Sequence, residues 1–162
     1  MGCDIHMFTE KKIGNRWETA DFFHYAPNEK EEMELTRMEF MGDRNYHLFA
    51  LLADVRNGFG IEPISTPRGI PKDLSEFVHK WYEIEKNWTF GHSYLTLRDI
   101  LEFQPEQFHY EDEDEEYLDE EDETLDWFIE ELKGRVREIW WRFDYHPEEY
   151  LDNFRLVFWF DN

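Results

Sequence analysis

The first residues of the chain alternate, with Cys3, Ile5 and Met7 on one side and Asp4, His6 and Phe8 on the other. A period of two is the signature of a strand with two unlike faces. Gly14-Asn15 has the residues of a two-residue hairpin turn, and Arg16-Trp17-Glu18-Thr19 supplies the returning strand. Asn28 to Phe40, rich in Glu and Met, reads as a short helix with Asn28 as its cap. Between Asn45 and Arg56 the apolar positions Leu48, Leu51, Leu52 and Val55 recur at helical spacing, and Asn57-Gly58 stops that helix.

Phe59 to Lys72 is punctuated by Pro63, Pro67, Gly69 and Pro71, which predicts an ordered loop rather than a helix or central strand. Asp73 to Glu85 predicts a second core helix through Leu74, Phe77, Val78, Trp81 and Tyr82. Gly91-His92-Ser93 reads as a loop, after which Thr96 caps a helix running to Phe103. Farther on, Trp127, Phe128, Leu132, Val136 and Ile139 form one stripe of a helix from Thr124 to about Arg142, broken by His146-Pro147. The chain closes with Phe154, Leu156, Phe158 and Phe160 alternating against Arg155, Val157, Trp159 and Asp161. Strands at both ends pair most economically at the centre of one antiparallel sheet. The expected fold is a single α+β domain over residues 1–162, a small mainly antiparallel sheet packed with about four helices.

Composition supports a packed core, since 19% of the residues are aromatic and disordered chains are poor in rings. The formal charge of −22 is unevenly spread: Glu111 to Glu131 holds 14 of the 39 acidic residues and no Lys or Arg. Outside it, 25 acids face 17 bases, an ordinary surface. The run is low in complexity and reads as a surface insertion at about 110–124. Such a field disfavours direct binding of duplex DNA, which needs clustered cations, and makes a basic protein surface the natural counterpart. It lacks the turn glycine and ligand alternation of an EF-hand loop.

Cys3 is the single cysteine, so no internal disulfide and no Cys-based zinc cluster can form. It is expected to be a buried thiol facing away from His6. No apolar run approaches the roughly 18 residues a membrane helix needs. The first residues lack a secretory pattern, and the myristoylation pattern wants Ser or Thr where His6 stands. The expected location is cytoplasmic.

Asp4 and His6 share a strand face, a placement that suits a divalent metal or a base with its orienting partner. A turn cap or an arginine partner for Asp4, and a hydrogen-bonded His6, explain the same residues without chemistry. The Asp-x-His spelling also resembles the first metal motif of calcineurin-like phosphoesterases, but no Gly-Asn-His-Asp follows. Arg44 beside Asn45, Arg56 beside Asn57, and Arg68 sit where helices start, stop or give way to loops. A guanidinium fork suits phosphate, an asparagine reads a base edge or ribose, and His92-Ser93 adds a ring and a hydroxyl. The competing reading pairs each arginine with a nearby carboxylate, Asp43 and Asp54 being the obvious partners.

Taken together, Met1-Gly2-Cys3-Asp4-Ile5-His6, Asp43-Arg44-Asn45-Tyr46, Ala53-Asp54-Val55-Arg56-Asn57, Pro67-Arg68-Gly69, Gly91-His92-Ser93-Tyr94 and the ending Phe158-Trp159-Phe160-Asp161-Asn162 resemble a widespread group of small phage and prophage proteins. The resemblance covers most of the chain; the acidic run has no place in it. It implies expression in the cytoplasm of an infected bacterial cell and a role in host takeover or counter-defence. The expected function is binding of an anionic, nucleotide-like ligand by Arg44, Asn45, Arg56, Asn57, Arg68 and Ser93. Asp4 and His6 are the metal candidates, and His6, His92 and Asp161 the acid–base candidates if the ligand is hydrolysed. The alternatives are an acidic nucleic-acid mimic that blocks a host enzyme through Glu111 to Glu131, and a structural or assembly protein without a ligand.

Overall fold

The computed structural model describes residues 2–42, 44–104, 125–142 and 151–162. The strands are β1 (Asp4–Ile13), β2 (Arg16–Thr19), β3 (Phe22–Pro27), β4 (Met33–Met38), β5 (Phe90–Thr96) and β6 (Phe154–Asp161). The helices are α1 (Tyr46–Ala53), α2 (Glu76–Glu85), α3 (Leu97–Leu101) and α4 (Leu125–Arg142). The fold is α+β, with an antiparallel four-stranded sheet in the order β2-β1-β6-β5 and a separate β3-β4 hairpin. The two terminal strands are the central pair, with Asp4 opposite Asp161 and Lys11 opposite Phe154.

Alternation along β1 and β6 divides the core between the two sheet faces. Ile5, Met7, Leu156, Phe158 and Phe160 join Leu48, Leu51 and Leu52 of α1, Leu97 and Ile100 of α3, and Leu132 and Val136 of α4. On the other face Phe8, Val157 and Trp159 pack against Val78 of α2. Burying each such side chain contributes about 1.5–3 kcal/mol, so this sandwich of helix, sheet and helix is the main support of the fold.

A buried polar network ties α2 down. Glu10 is 0% exposed and lies opposite Arg155 in the sheet register. Its Oε2 accepts from Arg155 Nε at 2.7 Å, and its Oε1 accepts from the Ser75 amide at 2.6 Å. Arg155 also donates to Asp73 Oδ1 at 2.9 Å and lies 3.8 Å over the Trp17 ring. Ser75, with Val78 N–H on its hydroxyl, is the cap of α2. The helix therefore begins three residues later than its apolar pattern predicts.

Two expectations are corrected. Asn28 to Phe40 is a hairpin turn and strand, not a helix: β3 and β4 pair from Phe22 opposite Met38 to Pro27 opposite Met33. Asn28 does cap, but its Oδ1 accepts from the Lys30 and Glu32 amides to close the turn, with Glu31 at φ +62°. Gly91, His92 and Ser93 are part of β5, not a loop. The register against β6 is irregular between Phe90 and Ser93, and Gly91 sits at φ +61° where a Cβ would come 2.9 Å from Phe160. That glycine marks a strand irregularity rather than a strand end. The 59–72 loop is ordered as expected, held by Ile64 N–H on Leu51 O and Gly69 N–H on His92 O. The acidic insertion, Asp43 and His146-Pro147 lie outside the described residues.

Candidate functional site: a histidine between two carboxylates

The face of the sheet that α2 covers carries Asp4, His6 and Phe8 of β1 beside Val157, Trp159 and Asp161 of β6. His6 lies directly opposite Trp159, which places Asp161 on its diagonal. His6 Nε2 is 2.9 Å from Asp161 Oδ2, and Nδ1 is 3.6 Å from Glu85 Oε2. Only the Asp161 contact is a hydrogen bond; Glu85 at 3.6 Å is a charged neighbour of the other ring nitrogen. The same Glu85 oxygen accepts the Trp159 indole N–H at 2.7 Å, which fixes the carboxylate beneath the imidazole. Trp88 meets His6 edge to face at 5.8 Å and is itself 53% exposed. The imidazole is thus oriented from both sides, while its own side chain keeps 24% exposure.

Three further predicted residues gather at this end of the central strand pair. Arg44 donates through Nε and Nη2 to the two Asp4 oxygens, both at 2.8 Å. That bidentate contact holds the Asp4 carboxyl below the usual carboxylate range and raises Arg44. Both partners are about half exposed. Arg56 follows α1 in the left-handed region, at φ +54°, a conformation that costs a residue with a Cβ about 1–3 kcal/mol. Its Nη2 donates to the neutral amide oxygen of Asn162 at 2.6 Å. Among the described residues no carboxylate pairs with Arg56. Burial pushes the Cys3 thiol up, and the neighbouring Arg56 guanidinium partly lowers it. Cys3 lies on the apolar face, away from His6, as its strand position predicts.

The other candidates are placed elsewhere or hold the backbone. Asn45 caps α1, accepting from Leu48 N–H at 3.1 Å. Asn57 donates to Asp54 Oδ1 and Ile61 O and accepts from Ile61 N–H. Ser93 is fully buried and accepts the Arg68 amide at 3.1 Å. The Arg68 side chain turns to Asp99 at 2.7 Å, beside the Tyr94 ring. His92 contacts the Thr89 hydroxyl at 2.9 Å and packs against Tyr82 and Trp159; burial lowers its pKa. The partner expected in Asp54 for an arginine is thus taken by Asn57. The real carboxylate partners, Asp4 for Arg44 and Asp99 for Arg68, lie 40 and 31 positions away in sequence.

Sequence reasoning missed Glu85 and Trp159 as partners of His6. The signal was present for Glu85: it follows Val78 and Tyr82 at helical spacing and so belongs to the inward stripe of α2. As for metal, the carboxylates beside His6 face opposite ring nitrogens, and Asp4 is held by Arg44. Among the described residues, no three His, Cys, Asp or Glu side chains converge to hold an ion. No helix among them is long and apolar enough to cross a membrane. Compared with family models, curated proteins and solved structures, the chain matches none.

Proposed function

We propose that the protein binds an anionic, phosphate-bearing small molecule where β1 begins and β6 ends, acting as a phage accessory protein in host takeover or counter-defence. The observation that carries the binding reading is Arg56. It is a guanidinium in a strained backbone conformation, anchored by a neutral amide, with no carboxylate partner among the described residues. Arg44 is the second phosphate contact. Its pair with Asp4 is half exposed and screened by solvent, so a phosphate can exchange for the carboxylate. The exposed Trp88 ring offers a stacking surface for a base, which favours a nucleotide-like ligand. His6, with Asp161 and Glu85 on its two nitrogens, is the group placed to move a proton.

Calorimetric titration with nucleoside monophosphates, cyclic dinucleotides and inorganic phosphate tests the reading. At least one phosphate compound should bind, and Arg56→Ala should weaken it about tenfold or more. Phosphate release during incubation separates a hydrolase from a protein that only sequesters. His6→Asn should then lower the rate by about a hundredfold while leaving affinity within a few fold. Absence of binding across the whole panel would end the proposal.

A second reading rests on the 14 acidic residues, without one base, from Glu111 to Glu131. Such a run can occupy a basic groove of a host enzyme in place of nucleic acid. Deleting Asp112–Glu123 separates the two: ligand binding survives under the first reading, and inhibition of the enzyme is lost under the second.

A further inference from the structure

On the sheet face opposite His6, an open cleft of about 210 Å³ lies between β1, the β3-β4 hairpin and α4. It is lined by the apolar side chains of Phe22, Met38 and Phe40, and by Thr9, Asp21, Glu39, Arg135 and Glu138. Asp21 is the unusual member. Its side chain is only 1% exposed, and its Oδ1 accepts both the amide and the hydroxyl of Thr9 at 2.9 Å. Its Oδ2 has no hydrogen-bond partner among the described residues. The nearest cation, Arg37 Nη1, stays 3.5 Å away because it donates to Met7 O at 2.7 Å, while Nη2 is given to Glu39.

A buried carboxylate oxygen without a donor is costly, so it calls for a donor that the protein does not supply. The remaining charges of the cleft say which kind. Arg135 is engaged by Glu131 through Nε and Nη2, and Glu39 by Arg37. Glu138 has no ion-pair partner among the described residues and stands exposed on α4. The balance that remains is negative: Arg37 is one cation shared by Asp21 and Glu39, Asp21 Oδ2 still lacks a hydrogen-bond donor, and a second carboxylate stands on the rim, with three apolar side chains between.

We propose that this cleft binds a small organic cation, a primary ammonium or guanidinium on a short apolar chain, with Asp21 Oδ2 accepting its N–H and Glu138 meeting a second positive end. This is independent of the phosphate site, which lies where β1 begins and β6 ends, whereas the cleft borders Thr9 farther along β1. Burial also pushes the Asp21 carboxyl up, and the Thr9 hydrogen bonds and the charge of Arg37 offset this only in part.

The test is titration of the full chain with 1,4-diaminobutane and agmatine, with 1,4-butanediol as the neutral control. It is run at about 0.15 M salt so that diffuse attraction to the acidic run is screened. The expected result is saturable one-to-one binding of the cations and none of the diol. Asp21→Asn keeps an oxygen for Thr9 but turns the open acceptor into an amide; it should weaken binding about tenfold or more. Glu138→Gln, on an exposed helix face, should weaken it about threefold, and it serves as the readout if Asp21→Asn fails to fold. No binding by either cation, or equal affinity in a folded Asp21→Asn and in Glu138→Gln, overturns the proposal.

Discussion

His6 Nε2 and Asp161 Oδ2 lie 2.9 Å apart although 155 positions separate them in the chain. The contact follows from register alone: Asp4 faces Asp161 and His6 faces Trp159. A slip of β6 by one residue would turn Asp161 to the apolar face. The pair is partly exposed, and contacts of that kind contribute about 0–1 kcal/mol. Asp161→Asn should therefore lower Tm by no more than about 4 °C for a chain of this size. A much larger loss in a thermal melt would show that the carboxylate is a keystone of the strand pairing instead.

The Arg155–Glu10 pair should behave in the opposite way. Arg155 is 4% exposed and Glu10 0%, and the two face each other at the centre of the sheet. Removing one partner of a buried pair leaves an uncompensated charge and costs about 3–5 kcal/mol. Arg155→Leu should lose that much in urea unfolding, and Glu10→Gln placed in the same chain should recover part of it. If the double variant is no more stable than Arg155→Leu, the loss comes from packing on Trp17, where Arg155 stacks, and not from the stranded charge.

What could be read from the sequence divides by the range of the interaction. The central pairing of the terminal strands was legible because alternation in Cys3 to Phe8 and Phe154 to Asp161 is long and apolar, and the start of α1 because Leu48, Leu51 and Leu52 recur at helical spacing after Asn45. The end of α1 is earlier than expected, since the helix stops at Ala53 with Asp54 in the left-handed region and not at Asn57-Gly58. The hairpin from Phe22 to Met38 was not, because Met33 and Leu35 point to solvent and leave no buried face to set a period. Asn28 caps a turn as readily as a helix, so the cap did not decide between them. Strand phase put Asp4 and His6 on one face, and the pairing with β6 adds Asp161 to it. The arginine partners were beyond reach, since Asp4 and Asp99 become neighbours of Arg44 and Arg68 only through the tertiary fold. Asp21 carried no sequence signal: the residues it packs against, Thr9 of β1 and Arg37 of the hairpin, meet it only in the fold.

His92 gives a pH signature. Burial lowers its pKa from the ordinary 6.5, so between the two values the unfolded chain takes up a proton that the folded protein refuses. Its contribution is fully present above 6.5 and is lost as pH falls through the depressed value. His92→Gln does not titrate there. Melting both proteins on either side of 6.5 should show the variant's deficit shrinking at the acidic end. A deficit constant with pH would mean that the ring is not excluded from protonation in the fold.

Asp21 titrates with the reverse sign. Burial raises its carboxyl above the ordinary 3.8, and the Thr9 hydrogen bonds and the charge of Arg37 lower it only in part. The folded protein therefore keeps a proton over a window in which the unfolded chain has released it. The stabilisation is complete below 3.8 and is lost as pH rises through the raised value. Asp21→Asn cannot ionise, yet it can still accept from Thr9 through its amide oxygen. Measured by urea unfolding without added cation, the variant should gain on the wild type as pH rises through that window, and at neutral pH it should equal or exceed it. A variant less stable than the wild type at neutral pH, with no closing of the gap from acid to neutral, would show that the ionised carboxylate is already compensated inside the fold, leaving the cleft no deficit for a cation to fill.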